Sequence, residues 1–129
     1  MEKIWKYALG LLSLVLVVVL IAVVSFDNKN FHIVACDVGQ GDAILAYYGS
    51  TQVLVDGGPN SKVLDCLSKY MPFWDREIEG VILTHPESDH YTGLIEVFKR
   101  YDVDVFLANG LDSSSQAYQV LKKEVGVVV

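Results

Sequence analysis

The stretch His85-Pro86-Glu87-Ser88-Asp89-His90 constrains this chain more than any other six residues. Four of them, His85, Glu87, Asp89 and His90, are metal-ligand types, and two of the chain's three histidines are among them. The apolar run Val81-Ile82-Leu83-Thr84 before them reads as a buried strand. Tyr91 to Phe98, just after, reads as the opening of a helix. A strand-to-helix loop can aim imidazoles and carboxylates from alternating positions at two neighbouring points, which suits a pair of divalent ions sharing a water or hydroxide. A polar loop that merely holds two histidines leaves their coincidence with acids and a strand end unexplained.

The second constraint is at the other end. Ala8 to Phe26 is a run of nineteen residues without charge or proline. As a helix it measures about 28 Å, close to the hydrocarbon thickness of a bilayer. Lys3 and Lys6 precede it, so the positive-inside bias puts residues 1–7 in the cytoplasm and everything after Phe26 outside the cell membrane, single-pass. A cleavable signal is the rival reading. Its apolar region is usually about 7–15 residues, and Val23-Val24-Ser25 is the only tolerable cleavage pattern here, so length favours the anchor. Both readings export the remainder of the chain. Residues 27–30 then form a polar linker, and residues 31–129 leave room for one domain or part of one.

From Phe31 onward there are fourteen acids and seven Lys or Arg, a balance near −7. Two divalent cations would offset about four of those charges. No basic stripe remains to grip a phosphate backbone, and Lys99-Arg100 and Lys122-Lys123 read as solvated helix faces. Two cysteines are too few for a disulfide scaffold. Cys36 falls in a strand pattern and Cys66 in a helical one, so both read first as small buried apolar residues, with a single bridge as the alternative.

The exported part begins with strands at Phe31 to Cys36, Ala43 to Tyr48 and Thr51 to Val55, spaced closely enough for an antiparallel meander. Asn60 or Ser61 caps a helix running to about Tyr70, with Val63, Leu64 and Leu67 on one face. The strand at Val81 to Thr84, the ligand loop, a helix to about Tyr101 and a strand at Val103 to Ala108 come next. Ser113-Ser114-Ser115-Gln116 has the form of a capping box and starts a last helix closing near Gly126, and Val127 to Val129 reads as the start of another strand. Strands first, then alternating helix and strand, make an α/β layered domain.

Three motifs resemble the metallo-β-lactamase superfamily, and more narrowly the exported domain of ComEC-type DNA-uptake proteins. They are Asp37-Val38-Gly39-Gln40-Gly41-Asp42 after the first strand, Val55-Asp56-Gly57-Gly58 after the third, and Thr84 to Gly93 after the fourth. The resemblance covers Phe31 to Val129 and implies the N-terminal half of a four-layer αββα sandwich with metals at one edge. It places His85 and Glu87 on a first ion and Asp89 and His90 on a second, with Zn first and Mn or Fe as alternatives. It makes Asp56, beside Gly57 and Gly58, the carboxylate supporting the metal loop. Asp37 and Asp42 lie in the signature turn, where stabilising the turn competes with a direct role.

Two departures qualify the resemblance. Position 87 is Glu where the superfamily most often has His; hard oxygen still suits Mn, Fe or Zn. The form His-x-Glu-x-Asp-His also occurs in flavodiiron reductases of the same fold, but these need an FMN-bearing partner and usually work in the cytoplasm. The family's later ligands, a histidine, a bridging aspartate and a final histidine, would fall beyond Val129. His32, in the first strand, cannot replace them. The implied activity is hydrolysis of phosphodiester or ester-like bonds by a metal-bound hydroxide, with Asp89 orienting it and nucleic acid as the family's substrate class. The alternative is an inactive fragment or a membrane-tethered binding module. Half a sandwich alone would expose its inner sheet face.

Overall fold

The computed structural model describes residues 1–26, 30–110 and 113–126. Helix α1 (Glu2–Phe26) is the apolar run extended back through Lys3 and Lys6. Lys3–Ser25 is long and apolar enough to cross a membrane, and α1 contributes nothing to the core. The expected linker lies mostly outside the described residues, as does the strand expected at Val127 to Val129.

Strands β1 (Phe31–Ala35), β2 (Ile44–Tyr48), β3 (Thr51–Val55), β4 (Glu77–Leu83) and β5 (Asp102–Ala108) form one sheet in sequence order. The first three make the antiparallel meander; β3, β4 and β5 are parallel. Helices α2 (Lys62–Tyr70) and α3 (Ser88–Arg100) are the crossovers, and α4 (Gln116–Val125) comes after β5. Two right-handed crossovers advancing in the same direction across a sheet must lie on the same face. That handedness is why one face of this sheet is covered by helices and the other is not.

The register makes the consequence explicit. Val34, Leu45, Leu54, Val81 and Phe106 lie in one row and pack under the helices. They meet Val63 and Leu67 of α2, Leu94 and Val97 of α3, and Tyr118 and Leu121 of α4. The neighbouring rows, Ile33–Ala46–Val53–Gly80–Val105 and Ala35–Ile44–Val55–Ile82–Leu107, face the other way. Ile33 is 68% exposed and Leu107 56%. The sheet is one αβ half of the sandwich the sequence implies, with the inner face open.

Several local expectations need correction. Strand β4 starts at Glu77, four residues before the apolar run, because Glu77 and Ile78 extend the ladder opposite Asp102 and Val103. Helix α3 starts at Ser88, inside the ligand motif, so Asp89 and His90 sit on its first turn rather than in a loop. The cap of α4 is Ser115, whose Oγ accepts from the Tyr118 amide; Ser113 instead accepts from the Ser115 amide. Gly126 closes that helix in the left-handed conformation. Asn60 accepts the Lys62 amide ahead of α2, while Ser61 makes no side-chain cap.

The cysteines also depart from the first expectation. Cys36 and Cys66 form a disulfide, with Cα atoms 5.6 Å apart, within bridging range. Cys36 directly follows β1 and α2 packs across that strand end, so Cys66 faces it. Strand and helix periodicities mark each cysteine as inward-facing but cannot report that the two meet.

Candidate metal centre

Strand direction gathers the site. β1, β3, β4 and β5 all run the same way, so the turn after β1, Asp56 after β3, Thr84-His85 after β4 and Asn109 after β5 emerge at one end of the sheet. The carboxyl ends of parallel strands are where α/β sheets bind ligands.

Asp56 organises this end. It is only 3% exposed and holds a left-handed φ of 59°, a conformation Asp tolerates better than most residues. Its amide donates to the Ile82 carbonyl at 2.8 Å, tying β3 to β4. Its carboxylate holds three groups: Oδ1 accepts the Thr84 amide at 2.8 Å, and Oδ2 accepts the Thr84 hydroxyl at 2.6 Å and lies 2.9 Å from His90 Nδ1.

These bonds fix both imidazoles. The Thr84 hydroxyl has one proton, and it goes to Asp56. The Thr84 oxygen, 2.9 Å from His85 Nδ1, can therefore only accept, which makes Nδ1 of His85 the donor. His90 Nδ1, facing a carboxylate, is likewise a donor. In the neutral rings, each Nε2 is left with its lone pair, the form in which imidazole ligates a metal. His85 Nε2 is 3.8 Å from Glu87 Oε2, and His90 Nε2 is 3.6 Å from Asp89 Oδ1. The two ring centroids are 3.8 Å apart. Thr84 was part of the sequence motif, but its relay role was not legible there; only the partner across the sheet reveals it. Asn109 supports it from the far side, donating to the Thr84 carbonyl.

Burial alone would push the His90 pKa down, but the hydrogen bond and charge of Asp56, with Asp89 and Asp42 nearby, outweigh it. The result is a pKa above the ordinary 6.5 in the metal-free chain.

The remaining predicted residues divide. Asp42 reaches the site, its Oδ2 3.9 Å from His90 Nδ1. Asp37 does not; it is exposed and lines a cleft beside the disulfide with Lys62 and Lys69. Gly57 and Gly58 serve the backbone: their amides donate to the His90 and Asp42 carbonyls at 2.7 and 2.9 Å. Gly93 donates in turn to the Gly58 carbonyl, and a Cβ there would run into the Gly57 carbonyl oxygen. Bare backbone at Gly93 is what lets the first turn of α3 seat against the loop after β3.

Among the described residues, no three His, Cys, Asp or Glu side chains form a ready-made cage. The donors come as two His–carboxylate pairs, chemically suited to Zn, Mn or Fe, each short of the three protein ligands usual for a catalytic ion.

A strand meander leading into parallel βαβ units, with aspartate-oriented histidines at the strand ends, defines the class. The family model of the metallo-beta-lactamase superfamily matches residues 36–118, and the chain belongs to that superfamily. It is also similar to Exodeoxyribonuclease YycJ of Bacillus anthracis, 31% identical over 64 residues, which are 48% of this chain and 24% of the relative. The match thus spans about a quarter of that protein's length.

Proposed function

We propose that the chain carries the ion-binding half of a membrane-anchored, exported hydrolase that cleaves phosphodiesters, with nucleic acid as the ComEC-like substrate class. The observation that carries this reading is the Asp56–Thr84–His85 and Asp56–His90 relay, which leaves two adjacent Nε2 atoms unprotonated beside two carboxylates. The exonuclease name of the Bacillus anthracis relative supports the substrate class. Export is supported by α1 with its flanking Lys3 and Lys6, and independently by the Cys36–Cys66 disulfide, since such bonds persist in oxidising compartments.

His85 and Glu87 would hold one ion and Asp89 and His90 the other. Bound divalent ions supply Lewis-acid chemistry, polarising a phosphoryl oxygen and acidifying water. Asp56 keeps both Nδ1 protons in place and both rings aimed. Asp89, on the first turn of α3 and partly exposed, orients the attacking water.

The test is hydrolysis of a chromogenic phosphodiester and a labelled DNA strand by the chain extended with the superfamily's later histidine and aspartate ligands. The 129-residue form is run beside it. Metal-dependent turnover by the extended form, removed by His85→Ala and by Asp89→Ala, is expected. The short form should stay at the level of its His85→Ala control. Turnover indifferent to both substitutions contradicts the reading.

A further inference from the structure

The turn between α2 and β4 puts two aromatic rings in water. The Asp75 amide closes it by donating to the Pro72 carbonyl at 3.0 Å, which makes Phe73 and Trp74 the corner residues. Turn corners are ordinarily filled by Gly, Pro, Asn, Asp or Ser. Here Phe73 is 82% exposed and Trp74 44%, their rings edge to face with centroids 5.0 Å apart. Exposed apolar residues scattered singly are ordinary, but a paired Phe and Trp at the tip of a turn are not. The turn is also held firmly. Asp75 Oδ2 accepts from Gln52 Nε2 at 2.9 Å and Oδ1 from the Glu77 amide at 3.1 Å, and Met71 is buried in the core. Gln52 is two residues before Leu54 and buried with it on the helix side of the sheet, so the turn belongs to the helix layer and not to the open inner face.

Position determines what these rings can meet. Helix α2 runs back from the Asp56 end, so the turn after it lies at the opposite end of the sheet, where β4 begins. Phe31 begins β1 at that same end, because β1 runs parallel to β3 and β4. The chain from Phe26, the last residue of α1, to Phe31 reaches at most about 18 Å when fully extended. A domain tethered through Phe31 on so short a lead turns this end toward the bilayer that holds α1.

We propose that Phe73 and Trp74 form a second membrane contact, their rings entering the interfacial layer of the bilayer in which α1 is anchored. This contact rests on the anchored reading of α1. Aromatic side chains, Trp above all, favour that layer, where an apolar ring meets hydrocarbon and a polar edge meets water. The turn is already fixed and the tether already keeps it close, so little ordering cost opposes insertion. Lys69, Arg76 and Arg100 at this end are offset by Glu77, Asp102 and Asp104, so the contact is apolar and does not require anionic headgroups. Two points of attachment also set the tilt. The seven-residue β4 then carries His85 and His90 roughly 23 Å beyond the turn, facing away from the membrane. Substrate reaches them from the aqueous side.

The test uses the chain's two tryptophans, Trp5 and Trp74, with the 129-residue chain reconstituted in phosphatidylcholine liposomes whose acyl chains are brominated near the headgroup. In Trp5→Phe the remaining Trp74 reports the turn, and in Trp74→Phe the remaining Trp5 reports α1. Both should lose most of their emission to the brominated lipid. Adding Phe73→Glu, at a position too exposed to disturb folding, should restore most of the Trp74 emission and leave Trp5 quenched. Trp5 quenched while Trp74 is not, or Trp74 quenching indifferent to Phe73→Glu, overturns the proposal with the anchor intact. Unquenched Trp5 shows that α1 is not in the bilayer, and the proposal then falls together with the anchored reading.

Discussion

Replacing Asp56 with Ala should remove the keystone of the strand-end network. The carboxylate accepts three hydrogen bonds while almost wholly buried. The Thr84 hydroxyl can rotate to another partner, but the Thr84 amide and His90 Nδ1 cannot. Two stranded donors cost about 1–3 kcal/mol each. Alanine also tolerates the φ of 59° less well than Asp, adding about 1 kcal/mol. The expected loss is about 3–7 kcal/mol, a large share of the 5–15 kcal/mol typical of a domain. Urea unfolding of the full chain in detergent, monitored by tryptophan fluorescence, measures it. Asp56→Asn, which keeps the shape and conformational tolerance but presents donors to donors, should lose about half as much. The pH dependence gives a second check. The raised His90 pKa makes its contribution complete below about 6.5 and lost as pH rises through the folded value, so the metal-free chain should be more stable at pH 6 than at pH 8.5. That difference should flatten in Asp56→Ala. A variant within about 0.5 kcal/mol of wild type, with an unchanged pH profile, refutes the reasoning.

The same structure makes three further outcomes testable. Converting Cys36 and Cys66 to Ser opens a cross-link spanning 30 residues and should cost about 3–4 kcal/mol in the same unfolding assay, matched by reducing the wild type. Gly93→Ala drives a methyl into the Gly57 carbonyl; backbone cannot yield cheaply, so a loss of at least about 2 kcal/mol with weakened metal retention is expected, whereas Gly10→Ala, in α1 with open space around it, should leave retention unchanged. A reporter active only outside the cytoplasm, fused after Val129, should be active, and a cytoplasm-only reporter at the same junction should be silent.

The order of elements was legible because the local signals agreed with the global packing. The closely spaced runs at Phe31 to Cys36, Ala43 to Tyr48 and Thr51 to Val55 became the meander β1–β3, and Val63, Leu64 and Leu67 form the buried stripe of α2. The ligand motif was legible because four donor types crowd into six residues. What was not legible depends on distance in sequence. The Cys36–Cys66 bond joins positions whose separate patterns look apolar. The Thr84 relay needs Asp56, 28 residues away. Glu77 to Gly80 lacks a strand-like apolar run, and neighbouring strands, not propensity, extend the ladder there. Asp37 and Asp42 share one turn, yet only Asp42 reaches His90; nothing in Asp37-Val38-Gly39-Gln40-Gly41-Asp42 distinguishes them beforehand.

The central claim is that His85, Glu87, Asp89 and His90 hold divalent ions, and metal content tests it most directly. The 129-residue chain should be purified in detergent, equilibrated with Zn or Mn, desalted and analysed by mass spectrometry for bound metal. Two protein donors per ion predict weak, sub-stoichiometric retention by the wild type. Asp89→Ala combined with His90→Ala should abolish it, and Asp37→Ala, outside the cluster, should leave it intact. Equal metal content in the wild type and the double variant would contradict the account.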